Sequence, residues 1–261
     1  MSIGLNRWLT VGTVAVGGII TIIAIAIFFR GDETISLDGI IAEIDAGNFQ
    51  DALRGLERAE ETFKLAGLTP NVAWTYGERG FIYLQQGLYG DGIDALDRAI
   101  ELDPMQPSFY NNRALNFQRA GRLDDADADF SMAIQLDPKN FNRYVERGFF
   151  YLNSGKPGLA LLDSHSAVNF APKEPIAYTL RSDANIALGK FDQALLDIDK
   201  VVELTPGQWA PLLTRAITRN SAGDIPGAIA DLDAALALDL PPEGRQLIED
   251  TQNIISQGTG G

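Results

Sequence analysis

The chain begins with a long apolar run. From Trp8 to Phe29 there are 22 residues without a charged side chain, most of them Ile, Val, Ala, Gly and Phe. As an α-helix this segment is about 33 Å long, which matches the hydrocarbon core of a bilayer. Arg7 and Arg30 flank it, as expected at the two membrane interfaces. The pattern therefore predicts a transmembrane helix over residues 8–29.

A cleavable signal peptide is the alternative for this run, because residues 24–26 form a small-x-small triplet. Three more apolar residues follow the triplet, and the apolar region of a signal peptide is usually only about 7–15 residues long. We therefore expect a retained anchor. The basic tail at residues 1–7 is expected to stay in the cytoplasm, which would place the soluble domain on the extracytoplasmic side.

Small residues recur along one side of the predicted helix at the spacing of a single face. They are Thr13, Gly17, Thr21 and Ala24. Such a face allows another helix to approach closely in lipid, so it is a candidate site of transmembrane packing. Glycine and threonine are also common in transmembrane helices without such a role, and this alternative remains open.

Beyond the anchor the sequence repeats every 34 residues. Glycine recurs at Gly87, Gly121, Gly155, Gly189 and Gly223, and proline at Pro70, Pro104, Pro138, Pro172 and Pro206. Large, small and large residues at i, i+4 and i+7, as in Tyr76, Gly80 and Tyr83, predict a first helix. A bulky residue between two alanines, as in Ala126, Phe130 and Ala133, predicts a second helix. The glycine ends the first helix and the proline follows the second.

This pattern resembles the tetratricopeptide repeat, an antiparallel helix pair of 34 residues. Five units cover residues 73–240, and a degenerate unit over residues 35–70 precedes them. Residues 30–34 are the expected linker. Residues 241–257 are expected to form a capping helix, with Leu247, Ile254 and Ile255 on its apolar face, and residues 258–261 a flexible tail. The resemblance implies an all-α, right-handed superhelix of stacked helix pairs, and open solenoid ends need such caps.

Two late units depart from the pattern, since Asn185 and Arg219 replace the expected aromatic residue of the first helix. Arginine and aspartate also follow the 34-residue period. The arginines are Arg79, Arg113, Arg147, Arg181 and Arg215, and the aspartates, each 16 residues after an arginine, are Asp129, Asp163, Asp197 and Asp231. We expect these residues to form partly buried ion pairs. Alternatively, the arginine stems simply cover apolar surface.

Composition narrows the classes of function. Apolar residues make up 46 % of the chain, and the formal net charge is −14. A surface this acidic repels phosphate backbones, so no nucleic-acid partner is expected. The chain has no cysteine, which excludes disulfides, thiolate metal sites and cysteine nucleophiles.

We find no catalytic motif. His165, the single histidine, falls at a position that other units fill with solvent-type residues, so it is expected to be exposed and inert. The acidic run at residues 124–129 lacks the glycines and the final carboxylate of a calcium loop, and it is typical of a solvated helix face. We therefore expect a protein that is not an enzyme and that has no metal and no cofactor.

Some proteins of this family grip acidic tails with lysines on the inner face of the superhelix, but the inward positions here lack lysine. The candidate partner-binding residues on the concave face are Trp74, Phe81, Leu115, Val145, Phe149, Ile176, Ile186, Leu213 and Ile217, with Asp183 as a polar exception. We expect Phe81 and Phe149 to lie outside the core between repeats. Exposed apolar strips usually mark an interaction site. The alternative is that the C-terminal helix folds back over this strip.

The sequence therefore predicts a non-enzymatic, membrane-anchored protein-interaction scaffold that binds a segment of a partner protein beside the bilayer. The partner itself is expected to be membrane-associated. The second hypothesis is a constitutive accessory or assembly subunit of a larger membrane complex, either energy-transducing or secretory. An enzyme with an unrecognised site is the remote third, because function must be argued from a site and none is apparent.

Overall fold

The structure is a computed structural model that describes residues 9–16, 19–26, 29–30, 33–34 and 36–257. Over residues 36–257 all the regular structure is α-helical, in 13 helices. The chain divides into two compact units after Asp129. In each unit, helices that follow one another along the chain pack side by side.

Part of the N-terminal apolar run forms strands. β1 (Leu9–Val16) pairs antiparallel with β2 (Ile19–Ala26), and β3 (Phe29–Arg30) pairs with β4 (Glu33–Thr34). These described segments are extended, whereas the sequence predicts a helix over residues 8–29 and a linker over residues 30–34. A continuous apolar run rich in β-branched residues is compatible with either a helix or a strand, and its pattern alone does not distinguish them.

Among the described residues, no helix is both long enough and apolar enough to cross a membrane. Of the predicted small-residue face, Thr13 lies in β1, and Thr21 and Ala24 lie in β2. Gly17 and the side chains of the other three residues are outside the described part of the chain. Membrane anchoring and transmembrane packing therefore remain predictions.

The first unit contains the N-terminal helix pairs. Its helices are α1 (Leu37–Asp45), α2 (Phe49–Leu65), α3 (Thr69–Gln86), α4 (Tyr89–Leu102) and α5 (Pro107–Arg119). Each packs against the next, and α3 also packs against α5. The division between the units falls within α6 (Leu123–Leu136).

The second unit continues the same alternation. Its helices are α7 (Phe141–Asn153), α8 (Pro157–Phe170), α9 (Pro175–Ala187), α10 (Phe191–Leu204), α11 (Trp209–Ser221), α12 (Ile225–Leu236) and α13 (Pro242–Gln257). The first helices α7 and α9 contact each other, and α13 packs against α12 and α11.

The periodic glycine makes the turn inside each pair. At Gly87 the backbone has φ of 75°, the glycine N–H donates to the Leu84 carbonyl, and the Leu88 N–H donates to the Tyr83 carbonyl at 2.9 Å. The four later glycines of the series have φ between 69° and 85°. A side chain is strained in this left-handed region, so the predicted helix end at each glycine is confirmed, with a physical reason for its period.

Small residues allow close contact between helices, as the large–small–large pattern predicts. A Cβ atom at Gly148 would lie 2.4 Å from Leu180 Cδ2, and one at Gly80 would lie equally close to the Leu96 side chain. In α12 the bulky residue is buried between two small ones: Ala228, Leu232 and Ala235 are all fully buried. The helix faces predicted from spacing are thus the packed faces.

The C-terminal helix α13 covers the end of the second unit with a different face from the predicted one. Ile248 and Ile255 are buried in one apolar cluster with Leu213 of α11. Leu247 and Ile254, expected to pack, are 50 % and 71 % exposed. The prediction was correct for Ile255 and wrong for these two residues, because Ile248 and Ile255 stand two helical turns apart and define the buried stripe.

The periodic arginines and aspartates form bidentate ion pairs between the two helices of a repeat, as predicted. Two nitrogens of each arginine donate to both carboxylate oxygens of the aspartate 16 residues later, at 2.6 to 3.1 Å. The pairs are Arg113–Asp129, Arg147–Asp163, Arg181–Asp197 and Arg215–Asp231. The aspartate side chains are 4–9 % exposed and the arginines 18–25 %.

Most of these arginines also reach backward to the preceding repeat. Nη1 of Arg113 donates to Asp97 at 2.6 Å, and Nη1 of Arg215 donates to Asp199 at 2.7 Å. Arg79 lacks the later aspartate, since Ala95 stands there, and it pairs instead with Glu60 of α2. The guanidinium group therefore links neighbouring helices in each unit by charge-assisted hydrogen bonds.

We expect the Arg147–Asp163 pair to couple strongly in a double-mutant cycle with alanine at each position. Both groups are mostly desolvated, so the coupling free energy should be about 2–3 kcal/mol. The exposed pair Arg122–Asp125, with side chains 52 % and 49 % exposed, is the matched control and should give under about 0.5 kcal/mol. Urea unfolding followed by circular dichroism measures both, and equal coupling in the two cycles would contradict a structural role.

Candidate functional site

The predicted partner-binding residues all lie on the first helix of a pair, and together they are called here the first-helix face. Trp74 and Phe81 lie on α3, and Leu115 lies on α5, in the first unit. The other six lie on α7, α9 and α11 in the second unit: Val145, Phe149, Ile176, Ile186, Leu213 and Ile217. These nine side chains differ widely in how much of each is packed and how much is exposed to solvent.

In the first unit this face takes part in the core. Trp74 and Phe81 are half-buried and pack against an apolar cluster that includes Leu37, Ile40 and Phe63 of α1 and α2. The expectation that Phe81 stands outside the core was therefore wrong. Apolar residues of the degenerate first pair, α1 and α2, cover this side of α3. Leu115 is half-buried.

In the second unit, two of the predicted residues have side chains that remain substantially exposed to solvent. Val145 and Leu213 are buried, at 7 % and 8 % exposed. Phe149 packs against the cluster around Val145, so it also contributes to the core, contrary to expectation. Ile176 and Ile217 are 40 % and 48 % exposed and form the accessible apolar part of the face. Ile186 is half-buried.

Two acidic groups on these helices have unusual proton affinity. Burial raises the pKa of Asp183 on α9 to about 6, and hydrogen bonding to Ser182 opposes the rise. Burial raises the pKa of Glu78 on α3 to about 7, with a further rise from the Asp45 charge, while a hydrogen bond from the Trp74 side chain opposes both. Near neutral pH these carboxyl groups are therefore close to changing charge.

A separate cavity of about 460 Å³ opens in the second unit among α8, α9 and α10. His165 lines it together with Arg181, Asn185 and Lys190. The histidine is exposed, as predicted, but the sequence did not indicate a cavity beside it. The available signal was the joint departure of His165 and Asn185 from the residue types of their periodic positions. Among the described residues, no cluster of three or more acidic or histidine side chains could hold a metal ion.

The periodic sequence and the helix pairs have counterparts among known proteins. Residues 79–141 match the family model of the tetratricopeptide repeat. A comparison with curated protein sequences found no match. The chain therefore contains sequence similar to tetratricopeptide repeats over residues 79–141, and its helix pairs share the fold of proteins of that family.

Several solved structures share the fold. A tetratricopeptide repeat protein from Parabacteroides merdae is 16 % identical, with a TM-score of 0.66 over 85 % of each chain. PilW, described as a widely conserved type IV pilus biogenesis factor, is 17 % identical, with a TM-score of 0.65 over 77 % of this chain and 90 % of its own. YrrB, described as having an unusual peptide-binding site, is 18 % identical, with a TM-score of 0.55 over 68 % of this chain and 92 % of its own.

The raised pKa of Glu78 predicts a specific dependence of stability on pH. Because the folded pKa of about 7 lies above the ordinary value of 4.5, the folded state binds the proton more tightly, and its stability falls as pH rises through that interval. Glu78→Gln keeps an acceptor for Trp74 and removes the charge. We expect the variant to gain about 1–3 kcal/mol over the parent at pH 8.5 and much less at pH 5.

Urea unfolding at both pH values measures this difference. The matched control is Glu57→Gln on α2, where the side chain is exposed, and it should change stability by less than about 0.5 kcal/mol at either pH. A gain for Glu78→Gln that is the same at pH 5 and pH 8.5 would show that the carboxyl titrates normally.

Proposed function

We propose that the protein is a non-enzymatic scaffold that holds a segment of a partner protein on its first-helix face, close to a membrane. The observation that carries this proposal is the exposed apolar surface of Ile176 and Ile217 on an otherwise well-packed pair of first helices. Exposed apolar surface on a face that other residues of the same kind extend is typical of an interaction site.

The packing behind the face prepares it for binding. Within this face, Val145, Phe149 and Leu213 pack into apolar clusters, and the buried ion pairs join first helices to second helices. A partner segment would therefore meet a surface that is already ordered, which lowers the entropic cost of association. An amphipathic helix or an extended peptide could each supply the apolar contacts.

The negative charge of this surface favours one kind of partner segment over another. Along the chain, Asp183 on α9 falls between Ile176 and Ile217. Its pKa of about 6 leaves the carboxyl group mostly charged at neutral pH. The chain as a whole carries a formal net charge of −14. An apolar segment with basic side chains beside it fits this surface better than an acidic segment does. The described peptide-binding site of YrrB adds support from a protein of the same fold.

The membrane part of the proposal depends on the N-terminal sequence. The uncharged run of residues 8–29 has the length and composition of a retained anchor, and only residues 30–34 separate it from the first helix pair. The scaffold would then lie beside the lipid surface, within reach of partners that are themselves in the membrane. We place it on the extracytoplasmic side.

Replacing both exposed isoleucines should weaken partner binding without harming the fold. We expect Ile176→Ser with Ile217→Ser to reduce the recovery of partner proteins from detergent-solubilised membranes at least tenfold, because the apolar contact is lost. Quantitative mass spectrometry measures recovery, and circular dichroism checks the helices. The matched control is Leu247→Ser with Ile254→Ser, which changes comparably exposed residues of α13.

The control variant should retain the full partner set. If the isoleucine variant also retains it, the first-helix face is not the binding surface. If wild-type protein instead recovers one complex in fixed stoichiometry and the isoleucine variant leaves that stoichiometry unchanged, the accessory-subunit hypothesis replaces the scaffold.

Two arginines in the middle of the apolar run should release the protein from membranes. Ile22→Arg with Ile23→Arg would cost about 5–7 kcal/mol of insertion free energy, so we expect the chain in the supernatant after alkaline carbonate extraction. The wild-type chain, and a control with Leu65→Arg and Leu247→Arg on the helical surface, should stay in the pellet. Wild-type protein in the supernatant would contradict the anchor, and a mature N-terminus beyond residue 26 would identify a signal peptide.

A further inference from the structure

One of the four bidentate arginines is incompletely bonded. In the other three, Nη1 donates to a side chain 16 residues earlier, which is Asp97, Ser131 or Asp199. His165 occupies that position before Arg181. Nε and Nη2 of Arg181 bind Asp197, and among the described residues no side chain accepts from its Nη1. Arg181 therefore makes the ion pair with the aspartate 16 residues later, but its Nη1 lacks the acceptor 16 residues earlier.

A second substitution in the same repeat opens space beside that arginine. In two earlier repeats an aromatic ring lies near the arginine, with 5.6 Å from Arg113 Cζ to the Phe117 ring and 5.6 Å from Arg147 Cζ to the Tyr151 ring. Asn185 stands at the aromatic position of the repeat that contains Arg181. The shorter side chain cannot fill the volume of a ring, and the cavity of about 460 Å³ lies at this place.

Asn185 adds a second polar group to the same cavity. Asn185 is only 5 % exposed, it lines the cavity, and its side-chain amide has no hydrogen-bond partner among the described residues. A polar group bound in the cavity would supply hydrogen bonds to this amide. The cavity therefore contains two unused groups of donors, the Asn185 amide and Arg181 Nη1.

The charge of the lining favours an anion. Arg181 and Lys190 both line the cavity. Asp197, which also lines it, already binds Arg181 through both carboxylate oxygens, so its charge is compensated. The remaining ammonium group of Lys190 makes the site locally positive in a chain whose formal net charge is −14. A carboxylate complements a guanidinium edge, an ammonium group and an amide donor.

The surface around the cavity carries large apolar side chains that the earlier repeats lack. One exposed position of the second helices holds Asp94 on α4 and Ala128 on α6. The same position holds Leu162 on α8 and Leu196 on α10, at 64 % and 72 % exposed. Leu196 also lines the cavity. Large exposed leucines on both helices that border a cationic cavity are suited to aliphatic side chains next to the bound anion.

We propose that this cavity binds the side-chain carboxylate of a glutamate or aspartate within a partner protein segment whose neighbouring residues are aliphatic. Arg181 Nη1 and Lys190 bind the carboxylate, the Asn185 amide donates to it, and Leu162 and Leu196 contact the flanking side chains. The site lies at the second helices α8 and α10, so it is separate from the first-helix face and goes beyond the function proposed for that face. Its volume accepts one acidic side chain and part of a neighbour.

The test uses blocked seven-residue peptides with a central glutamate between apolar residues drawn from Leu, Ile, Val and Phe, and an identical set with glutamine. Binding to the full chain in detergent is measured by isothermal titration calorimetry. We expect a glutamate peptide to bind with Kd below about 1 mM and the glutamine partner to bind at least tenfold more weakly. No binding by any glutamate peptide at about 5 mM, or equal binding of both sets, would overturn the proposal.

Two variants copy neighbouring repeats and should therefore keep the fold. His165→Asp restores the partner of Arg181 Nη1, and Asn185→Tyr returns a ring to the cavity. Each should weaken glutamate-peptide binding at least tenfold, while the control Lys156→Glu, which does not line the cavity, should change it less than threefold. Unchanged binding in both variants would place the peptide elsewhere.

Two further measurements distinguish this cavity from the first-helix face and from a site for any small anion. Ile176→Ser with Ile217→Ser should bind the glutamate peptides normally, so failure of the first-helix face and failure of the cavity are distinguishable. Propionate is the small-anion probe. If propionate at about 10 mM displaces the peptide completely, the flanking leucines add nothing, and the proposal of a protein segment as the ligand is overturned.

Discussion

The buried arginine–aspartate pair is the interaction on which this architecture depends. Two parallel hydrogen bonds fix the guanidinium plane of Arg147 against Asp163, and so fix the angle between the two helices of that repeat. The remaining nitrogen is then directed at the preceding second helix, where Ser131 accepts from it. Removal of one partner would leave a desolvated charge, which makes the pair costly to break even though forming it releases little free energy.

A repeated bridge also makes each departure from it meaningful. In the first repeat, the side chain of Ala95 cannot accept a hydrogen bond, so Arg79 pairs with Glu60 instead. The network of ion pairs therefore continues with a different acid. In the last repeat, Arg219 joins Arg215 on Asp231, so the missing aromatic residue is replaced by a second cation. At Arg181 neither replacement occurs, and a cavity with unused donors results. Solenoids tolerate such local change because each repeat contacts only its neighbours.

The two candidate surfaces differ in how they meet solvent. On the first-helix face, apolar side chains such as Phe149 serve packing and exposure together, because a long side chain at that position reaches the adjacent helix and still leaves an edge in water. At the cavity, Leu162 and Leu196 occupy solvent-exposed positions of α8 and α10. The first surface suits an apolar or basic segment, and the second suits an acidic one, so a partner could contact either surface without excluding the other.

The sequence by itself determined the repeat period, the helix pairs, the glycine turns and the pairing of arginine with aspartate. These depend on local backbone conformation and on spacing within one chain segment, which a 34-residue period displays directly. Only the tertiary structure decided that Phe81 packs into the core, that α13 buries Ile248, and that His165 and Asn185 border one cavity. Burial and cavity volume depend on which side chains from neighbouring helices meet. Helical spacing in the sequence indicates the face on which a residue lies, but not the size of the side chain that packs against it.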